Sequence, residues 1–341
     1  MSSQDAEILV IGAGLTGAMI ASHLANQGAN VAVVDAQSVG KGATKRALGL
    51  ASPVLHPDHF GETARSVATL AQLAAKHQVT PQIVSVLHVA GDEPKCHDLK
   101  RTFDEIGAHV SQAQWEANPD VVPHGFGAGV LVRNCIIIDP LTLTERLLNH
   151  KRIALKQGME IHDIRWHRGK THALAEGHTL RADAVVLATN AAVGLLSHFL
   201  AGAVKVMRGA MFVSQPLSLA NLNGNATRTQ MLLQTPLIID YGRLSVLHGK
   251  DNRARVSAWN EEAQTDPSAN ARHFVNGYLP SLSENFESQL SSVTTTTPDG
   301  APFVDKLEVE GNVYFAIGLG LHGLAWSVLV AEAMTELVGG E

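Results

Sequence analysis

Cysteine is almost absent from this chain. Cys96 and Cys135 are the only two among 341 residues, and neither stands in a C-x-x-C pair or beside a histidine at metal-ligand spacing. A disulfide-held scaffold and a structural zinc site are therefore excluded, and the composition fits a reducing, cytoplasmic compartment. A basic excess is missing too: 26 lysines and arginines face 32 aspartates and glutamates, for a net charge of −6. That balance offers no general attraction to nucleic acid or to an anionic membrane. The 17 histidines are dispersed without a convincing ligand pair, so no metal is expected. Internal repeats, low-complexity tracts and flexible linkers are lacking. The N-terminus, MSSQDAE, is polar and runs into a glycine-bearing apolar stretch, unlike a signal peptide. Only residues 313–331 approach the length of a membrane span. Gly318, Gly320, His322 and Gly323 at their centre favour a buried strand, a tight loop and a buried helix instead.

What is present is apolar bulk and one organised stretch. At 45% hydrophobic residues the chain can bury a large core, and its length suits about two domains. Residues 7–35 read EILVIGAGLTGAMIASHLANQGANVAVVD, with Gly12, Gly14 and Gly17 in the spacing G-x-G-x-x-G. A buried-strand run precedes the glycines, an Ala-rich helical run opens at Leu15 and Thr16, and a second apolar run ends at Asp35 and Ala36. This is the full strand–helix–strand–acid context of a dinucleotide site. Gly12 turns the chain out of the strand, Gly14 lets backbone approach a pyrophosphate, and Gly17 lets helix and sheet pack closely. The helix N-terminus offers N–H groups and a partial positive charge to the phosphates. Asp35 is placed to accept from ribose hydroxyls. By itself the motif admits NAD, NADP or FAD.

Downstream, the loop around Lys41, Lys45 and Arg46 reads either as a phosphate contact or as a solvated basic loop. Helical spacing covers 59–77. A strand-like run (83–89), a polar helix (93–106), an irregular segment and a strand (130–138) follow. Asp139-Pro140 is a natural helix start, and a helix is expected over 141–157, capped by Gly158. Strand runs near 161–166 and 171–175 lead to AVVLA at 184–188, apolar enough for a central parallel strand covered on both faces. The small-residue turn Thr189-Asn190-Ala191 after it is placed to touch a bound cofactor. Residues 204–215, 236–240, 244–248 and 253–259 form an antiparallel block, with hairpin turns at Tyr241-Gly242 and 250–252. Helices are expected around 267–279 and over 324–338.

In this order the segments ILVIGAGLTG, GATKRALGL, IIIDPLTLTERLL, ADAVVLATNA, TTPDGAPFVD and AIGLGLHGLAW resemble the D-amino-acid oxidase and glycine/sarcosine oxidase superfamily of FAD-dependent oxidoreductases. The resemblance runs over nearly the whole chain. It implies an α/β fold: a Rossmann-like FAD-binding domain of the glutathione-reductase type, at 1–82, 140–203 and 291–341, with an inserted, mainly antiparallel β substrate domain at 83–139 and 204–290. It implies non-covalent FAD. Gly12, Gly14 and Gly17 would surround the pyrophosphate and Asp35 the ribose. Gly42, Ala43, Thr44, Lys45 and Arg46 would line the phosphate and ribityl side, Leu48, Gly49 and Leu50 would pass near the flavin ring, and Ile164 would lie by the adenine. Gly318, Gly320, Leu321, His322, Gly323 and Leu324 would present backbone N–H groups to the flavin carbonyl edge. The terminal helix would aim its N-terminus where reduced flavin is negative, raising the reduction potential. The implied activity is oxidation of a small amine or amino acid: the α C–H passes hydride to the flavin, and the resulting imine is hydrolysed. Oxygen or an unidentified carrier would accept the electrons.

The chain departs from the family at the substrate. Amino-acid-oxidising members read G-L-R-P-x-T-P-D-G before the terminal segment, and the arginine clamps the substrate carboxylate. Here Thr294 stands in its place, and a hydroxyl cannot reproduce a charge-assisted fork. Ser292 and Ala325 stand where sarcosine-oxidase-like relatives carry a flavin-linking cysteine and a lysine. Arg208, Arg243, Arg253 and Arg255 are candidate replacement cations, although strand arginines are commonly solvated. Tyr241 and His248 are candidate substrate contacts, and His322 is either a base or, more in keeping with the family, a flavin contact. A second reading compares GATKRALGLASPVLHP with the G-A-S-x-N-x-Q-G-x-x-Y-P segment of the flavin domain that trims a carboxymethyl group from wobble uridine in tRNA. The Asn and Gln of that segment are missing. A third reading is an FAD-bearing subunit of a larger dehydrogenase.

Overall fold

The computed structural model describes residues 3–107, 111–118, 121–123, 125–217, 233, 235–249, 251–261, 266–280, 283, 286–308 and 311–339. From the N-terminus come β1 (Ser3–Ile11), α1 (Leu15–Asn26), β2 (Val31–Asp35), β3 (Leu50–Ala51), α2 (Phe60–Lys76), β4 (Gln82–Val89), α3 (Glu93–Ile106), β5 (Ala113–Glu116), β6 (Gly129–Ile137) and α4 (Pro140–Leu148). Then follow β7 (Ile153–Gln157), β8 (Ile161–His167), β9 (Lys170–Ala175), β10 (His178–Leu187), α5 (His198–Ala203), β11 (Lys205–Pro216), β12 (Leu237–Ile239), β13 (Leu244–His248) and β14 (Arg253–Glu261). A helix Pro267–Tyr278, β15 (Phe286–Thr296), β16 (Phe303–Lys306), β17 (Asn312–Ile317) and the terminal helix Gly323–Gly339 complete the order.

The apolar runs expected to be central strands pair with one another. The first sheet runs β16-β17-β10-β1-β2-β7, with β9 beside β10 and β8 beside β9. From β17 to β7 every pairing is parallel, with Val10 opposite Val186 and Val33. β10 is covered on both faces, as its uniform apolarity requires: Val186 joins a cluster with Met19, Ile20 and Leu70, and Val185 faces Ala173 and Leu200. The terminal helix buries Ala325, Trp326, Val328, Ala331 and Met334 in the first of these clusters. By length and composition Gly320–Gly339 would pass as a membrane span. In the fold half of that window is buried against α1 and α2.

The second sheet runs β15-β11-β14-β13-β12-β4-β6-β3, with β5 beside β6. Its pairings are antiparallel except for β12 with β4. Period-two alternation sorts its residues. Ala210, Phe212, Val246, Val256 and Ala258 pack under Ala271, Phe274 and Val275 of the helix Pro267–Tyr278, leaving the opposite face for the first sheet. Together these observations give an α/β fold with a Rossmann-like parallel sheet and a mainly antiparallel partner, as expected.

One element differs. The helix expected over 141–157 stops at Leu148, and Ile153–Gln157 is a strand laid parallel on β2, with Val31 opposite Ile153. Ala, Leu, Lys and Gln in this segment all suit a helix, but propensity is a weak prior, and the open edge of β2 offers a ladder of backbone hydrogen bonds that outweighs it. Gly158, expected as a helix cap, follows this strand at φ 71°. In the hairpin turn at 250–252, Lys250 lies outside the described residues.

Candidate active site

The two sheets face each other across a cavity of ≈ 660 Å³. At one end it is built from backbone. Gly12 leaves β1 at φ 114°, where an added Cβ would meet the Ala188 carbonyl oxygen at 2.4 Å. Behind it, a Cβ on Gly17 would lie 1.9 Å from the Gly12 oxygen, so Gly17 sits in the packing layer and does not line the cavity. Gly14 begins α1, which has no side-chain cap and no acidic residue in its first turn. Thr44 Oγ1 accepts from the Leu15 N–H at 3.0 Å, tying the loop after β2 across the helix N-terminus. Asp35 accepts from the Ala13 N–H with Oδ2 and from the Gln37 N–H with Oδ1, both at 2.7 Å. Each carboxylate oxygen keeps a further lone pair for a ribose hydroxyl.

Most residues expected at the cofactor converge here: Gly12, Gly14, Leu15, Thr16, Asp35, Ala36, Gly42, Ala43, Thr44, Arg46, Leu48, Gly49 and Leu50 line the cavity. Thr189, Asn190, Ala191, Gly318, Gly320, Leu321, His322, Gly323 and Leu324 join them from the ends of β10 and β17. Arg46 donates from Nη1 to the carbonyls of Lys41 and Gly42, so its guanidinium braces the loop. Lys45 is exposed and does not line the cavity. Ile164 also stands outside the lining. A bulge between Ile161 and Asp163 shifts the β8 register, and Met159, Glu160 and Ile161 form this wall while Ile164 pairs with Ala173.

Across the cavity stand side chains of the second sheet: Met211, Ser245, Ser257, Trp259, Ser292 and Thr294. Gly209 makes the flat wall possible, because a Cβ there would sit 2.5 Å from Trp259 Cε3. Gly242, at φ 97°, brings the β12–β13 turn against Leu321 and His322. The other candidates do not converge. His248 lies on the opposite face of β13 from Ser245. Arg255 is gripped by both carboxylate oxygens of Asp251, Arg253 by Glu287 and the Ser214 carbonyl, and Arg243 pairs with Glu261 at 3.7 Å. Arg208 is exposed on the far side of β11, the parity of Ala210 and Phe212. The side chain of Tyr241 lies outside the described residues.

Thr294 does line the cavity, 8% exposed, with Oγ1 at 3.4 Å from the Gly320 carbonyl. Its neighbours have another task. Thr295 donates from its backbone N–H to Asn190 Oδ1 at 3.1 Å, while its hydroxyl accepts from the Gly318 N–H at 3.2 Å. Asn190, at φ 51°, also donates to the Val293 carbonyl at 3.0 Å. The threonine run thus laces the cavity loops of the first sheet to β15.

Sequence reasoning missed a buried trio beneath the floor. Ser52 lines the cavity, its Oγ 3.1 Å from His88 Nε2, and the Cys135 thiol donates to the same oxygen at 3.4 Å. Burial, with repulsion from His322 second, holds the His88 pKa down at about 3. Burial pushes the Cys135 thiol up to about 11, which leaves it unreactive. Polar residues inside the apolar runs of β4 and β6 were the available signal. For the sheet wall it was Gly209 inside a strand and the alternation V-S-A-W at 256–259.

The geometry fits a dinucleotide. The α1 N-terminus, whose own cap residue Gly14 offers no side chain, suits a pyrophosphate, and Thr189 Oγ1 is buried at the cavity without a hydrogen-bond partner. A glycine loop on a parallel sheet, closed by an antiparallel sheet across one cavity, defines a dinucleotide-dependent oxidoreductase. The chain belongs to the FAD dependent oxidoreductase (DAO) family, whose sequence model matches residues 7–337. It is an enzyme, and FAD is its non-covalent cofactor; neither cysteine of the chain lines the cavity. It is 24% identical to the tRNA 5-methylaminomethyl-2-thiouridine biosynthesis bifunctional protein MnmC of Thiobacillus denitrificans, over 100% of this chain and 58% of that protein. The chain thus spans little more than half the length of that relative. It is also 24% identical to the glycine oxidase of Bacillus licheniformis, over 98% of this chain and 93% of that one. In fold it matches the glycine oxidase of Geobacillus kaustophilus with a TM-score of 0.80 at 18% identity, covering 99% and 95% of the two chains.

Proposed function

We propose that this FAD-dependent oxidoreductase oxidises a C–N bond of a small amine or amino-acid-like substrate, without the arginine clamp on a substrate carboxylate. The observation that carries this reading is one cavity joining the glycine loop to a sheet wall that Thr294 lines; by the resemblance, Thr294 stands in the arginine's position. When bound, FAD supplies a two-electron acceptor. The substrate carbon gives up hydride, the nitrogen loses a proton, and water hydrolyses the imine to a carbonyl compound and an amine. The chain's own part is binding and orientation. The α1 N-terminus and Asp35 would hold the diphosphate and ribose, the Gly318–Gly323 stretch would meet the other end of the cofactor, and Met211 and Trp259 would exclude water. Holding a neutral amine in register supplies much of the rate without a strong base. We assign the cofactor domain to 1–82, 140–203 and 291–341, the substrate domain to 83–139 and 204–290, and the protein to the cytoplasm. Oxygen or a carrier would accept the electrons.

The likeness to MnmC across the whole chain favours a second reading, action on a modified wobble uridine of tRNA. The net charge of −6 argues against it, since tRNA is held through its phosphates. Anaerobic titration of the yellow protein separates the two. Bleaching by small amines supports the first reading; bleaching only by tRNA bearing a carboxymethylaminomethyl uridine supports the second. Reduction by dithionite but by neither substrate class would point to a subunit of a larger dehydrogenase.

A further inference from the structure

The sheet wall carries more information than the loss of one arginine. Among the described residues no cationic side chain lines it: Met211, Ser245, Ser257, Trp259, Ser292 and Thr294 are neutral. The arginines of β14 that share a face with Ser257 and Trp259 are already neutralised, Arg255 by Asp251 and Arg253 by Glu287. Register places Ser245 beside Ser257 and Ser257 beside Met211, a row across three strands. Two residues further along, Trp259 lies across Gly209, whose missing Cβ is what admits the indole. Ser257 is 4% exposed, and its hydroxyl has no hydrogen-bond partner. Such a hydroxyl is a group left for a ligand to satisfy.

Building on the C–N reading above, we propose that the enzyme selects amines without a carboxylate. A flat or apolar group packs on Trp259, and a neutral hydroxyl or amide pairs with Ser257 and Ser245; amino alcohols and arylalkylamines with a neutral polar group form this class. A carboxylate entering this wall would lose its hydration and gain no cation, which is a strong penalty in a pocket of low polarity. The neutral wall discriminates by repelling the charged analogue as much as by holding the right one. Ser257 and Trp259 are thereby specificity-determining residues.

The test uses the purified FAD-loaded protein and matched compounds under anaerobic conditions: phenylalanine of either hand, phenylalaninol, phenylalaninamide, phenethylamine and, as a plain alcohol, 2-phenylethanol. Flavin bleaching by the alcohol or amide is expected at least about 100-fold more efficiently than by the amino acid. Ser257→Ala should cut the preference for phenylalaninol over phenethylamine about tenfold, with unchanged FAD content and an unchanged or raised Tm. Gly209→Ala, which displaces Trp259 and removes no polar group, should weaken every aryl substrate. Equal or better reduction by the amino acid would overturn the proposal, as would a flavin spectrum perturbed by micromolar benzoate; Arg228, outside the described residues, would then be the first cation to examine. An unchanged alcohol preference in Ser257→Ala would remove that residue's assignment. Bleaching by plain alcohols and by no amine would overturn the C–N reading while leaving the neutral-wall selection standing. Silence of every neutral compound would overturn both.

Discussion

At the glycine-loop end of the cavity the chain presents backbone, and at the sheet end it presents side chains. At the first end Gly12, Gly14 and Gly17 make the shape by lacking atoms, and α1 supplies a partial charge that no substitution removes. At the second, Trp259, Ser257 and Thr294 make the shape by what they carry. The two materials tolerate change differently. At Gly12 and Gly17 the backbone contacts leave no slack, because an added Cβ would meet a main-chain carbonyl oxygen at 2.4 and 1.9 Å. A side-chain wall can be exchanged residue by residue, which lets one family keep its cofactor while changing its substrate.

The sharpest way to break this contrast is Gly12→Val. With φ at 114° and a Cβ 2.4 Å from the Ala188 oxygen, the variant is expected to purify without FAD or to fail to fold, read from the flavin-to-protein absorbance ratio. A flavin-loaded, stable Gly12→Val protein would refute the idea that this end has no slack.

Next in size is the buried trio at the floor. His88 has a folded pKa of about 3 against an ordinary 6.5, so below neutrality the unfolded chain takes up a proton that the folded chain refuses. Stability is therefore whole above pH 6.5 and falls steadily towards pH 3, by several kcal/mol at the acid end. Urea midpoints measured between pH 7 and pH 4 should show the slope, and His88→Gln should flatten it. An identical slope in the variant would assign it to other groups.

The seam between the ends is held by Asn190. Asn190→Ala removes its bonds to Val293 and Thr295 and strains a left-handed backbone, for a cost of about 1–3 kcal/mol in thermal unfolding. Asn190→Gly relieves the strain alone and should recover part of the loss. The smallest effect is expected at Thr294→Val. Its hydroxyl contacts, at 3.4 and 3.5 Å, are at the weak edge of hydrogen bonding, so stability should move by less than about 1 kcal/mol and FAD content should not change. A collapse of Thr294→Val comparable to that of Gly12→Val would erase the distinction between the two ends.

Residues 7–35 alone established a dinucleotide loop, because strand, glycines, helix and acid are local in sequence and each glycine answers a steric demand within a few residues of itself. Six segments in order established the family for the same reason. The apolar run AVVLA announced a doubly covered strand through composition. Tertiary structure decided the rest. Whether Ile153–Gln157 is helix or strand depends on the open edge of β2, over a hundred residues away in sequence. Which arginines are spent on Asp251, Glu287 and Glu261, and that the threonine run serves mainly to lace Asn190 and Gly318 to β15, are matters of long-range pairing. Local patterns set where a backbone can turn; only the folded sheets set which side chains meet across the cavity.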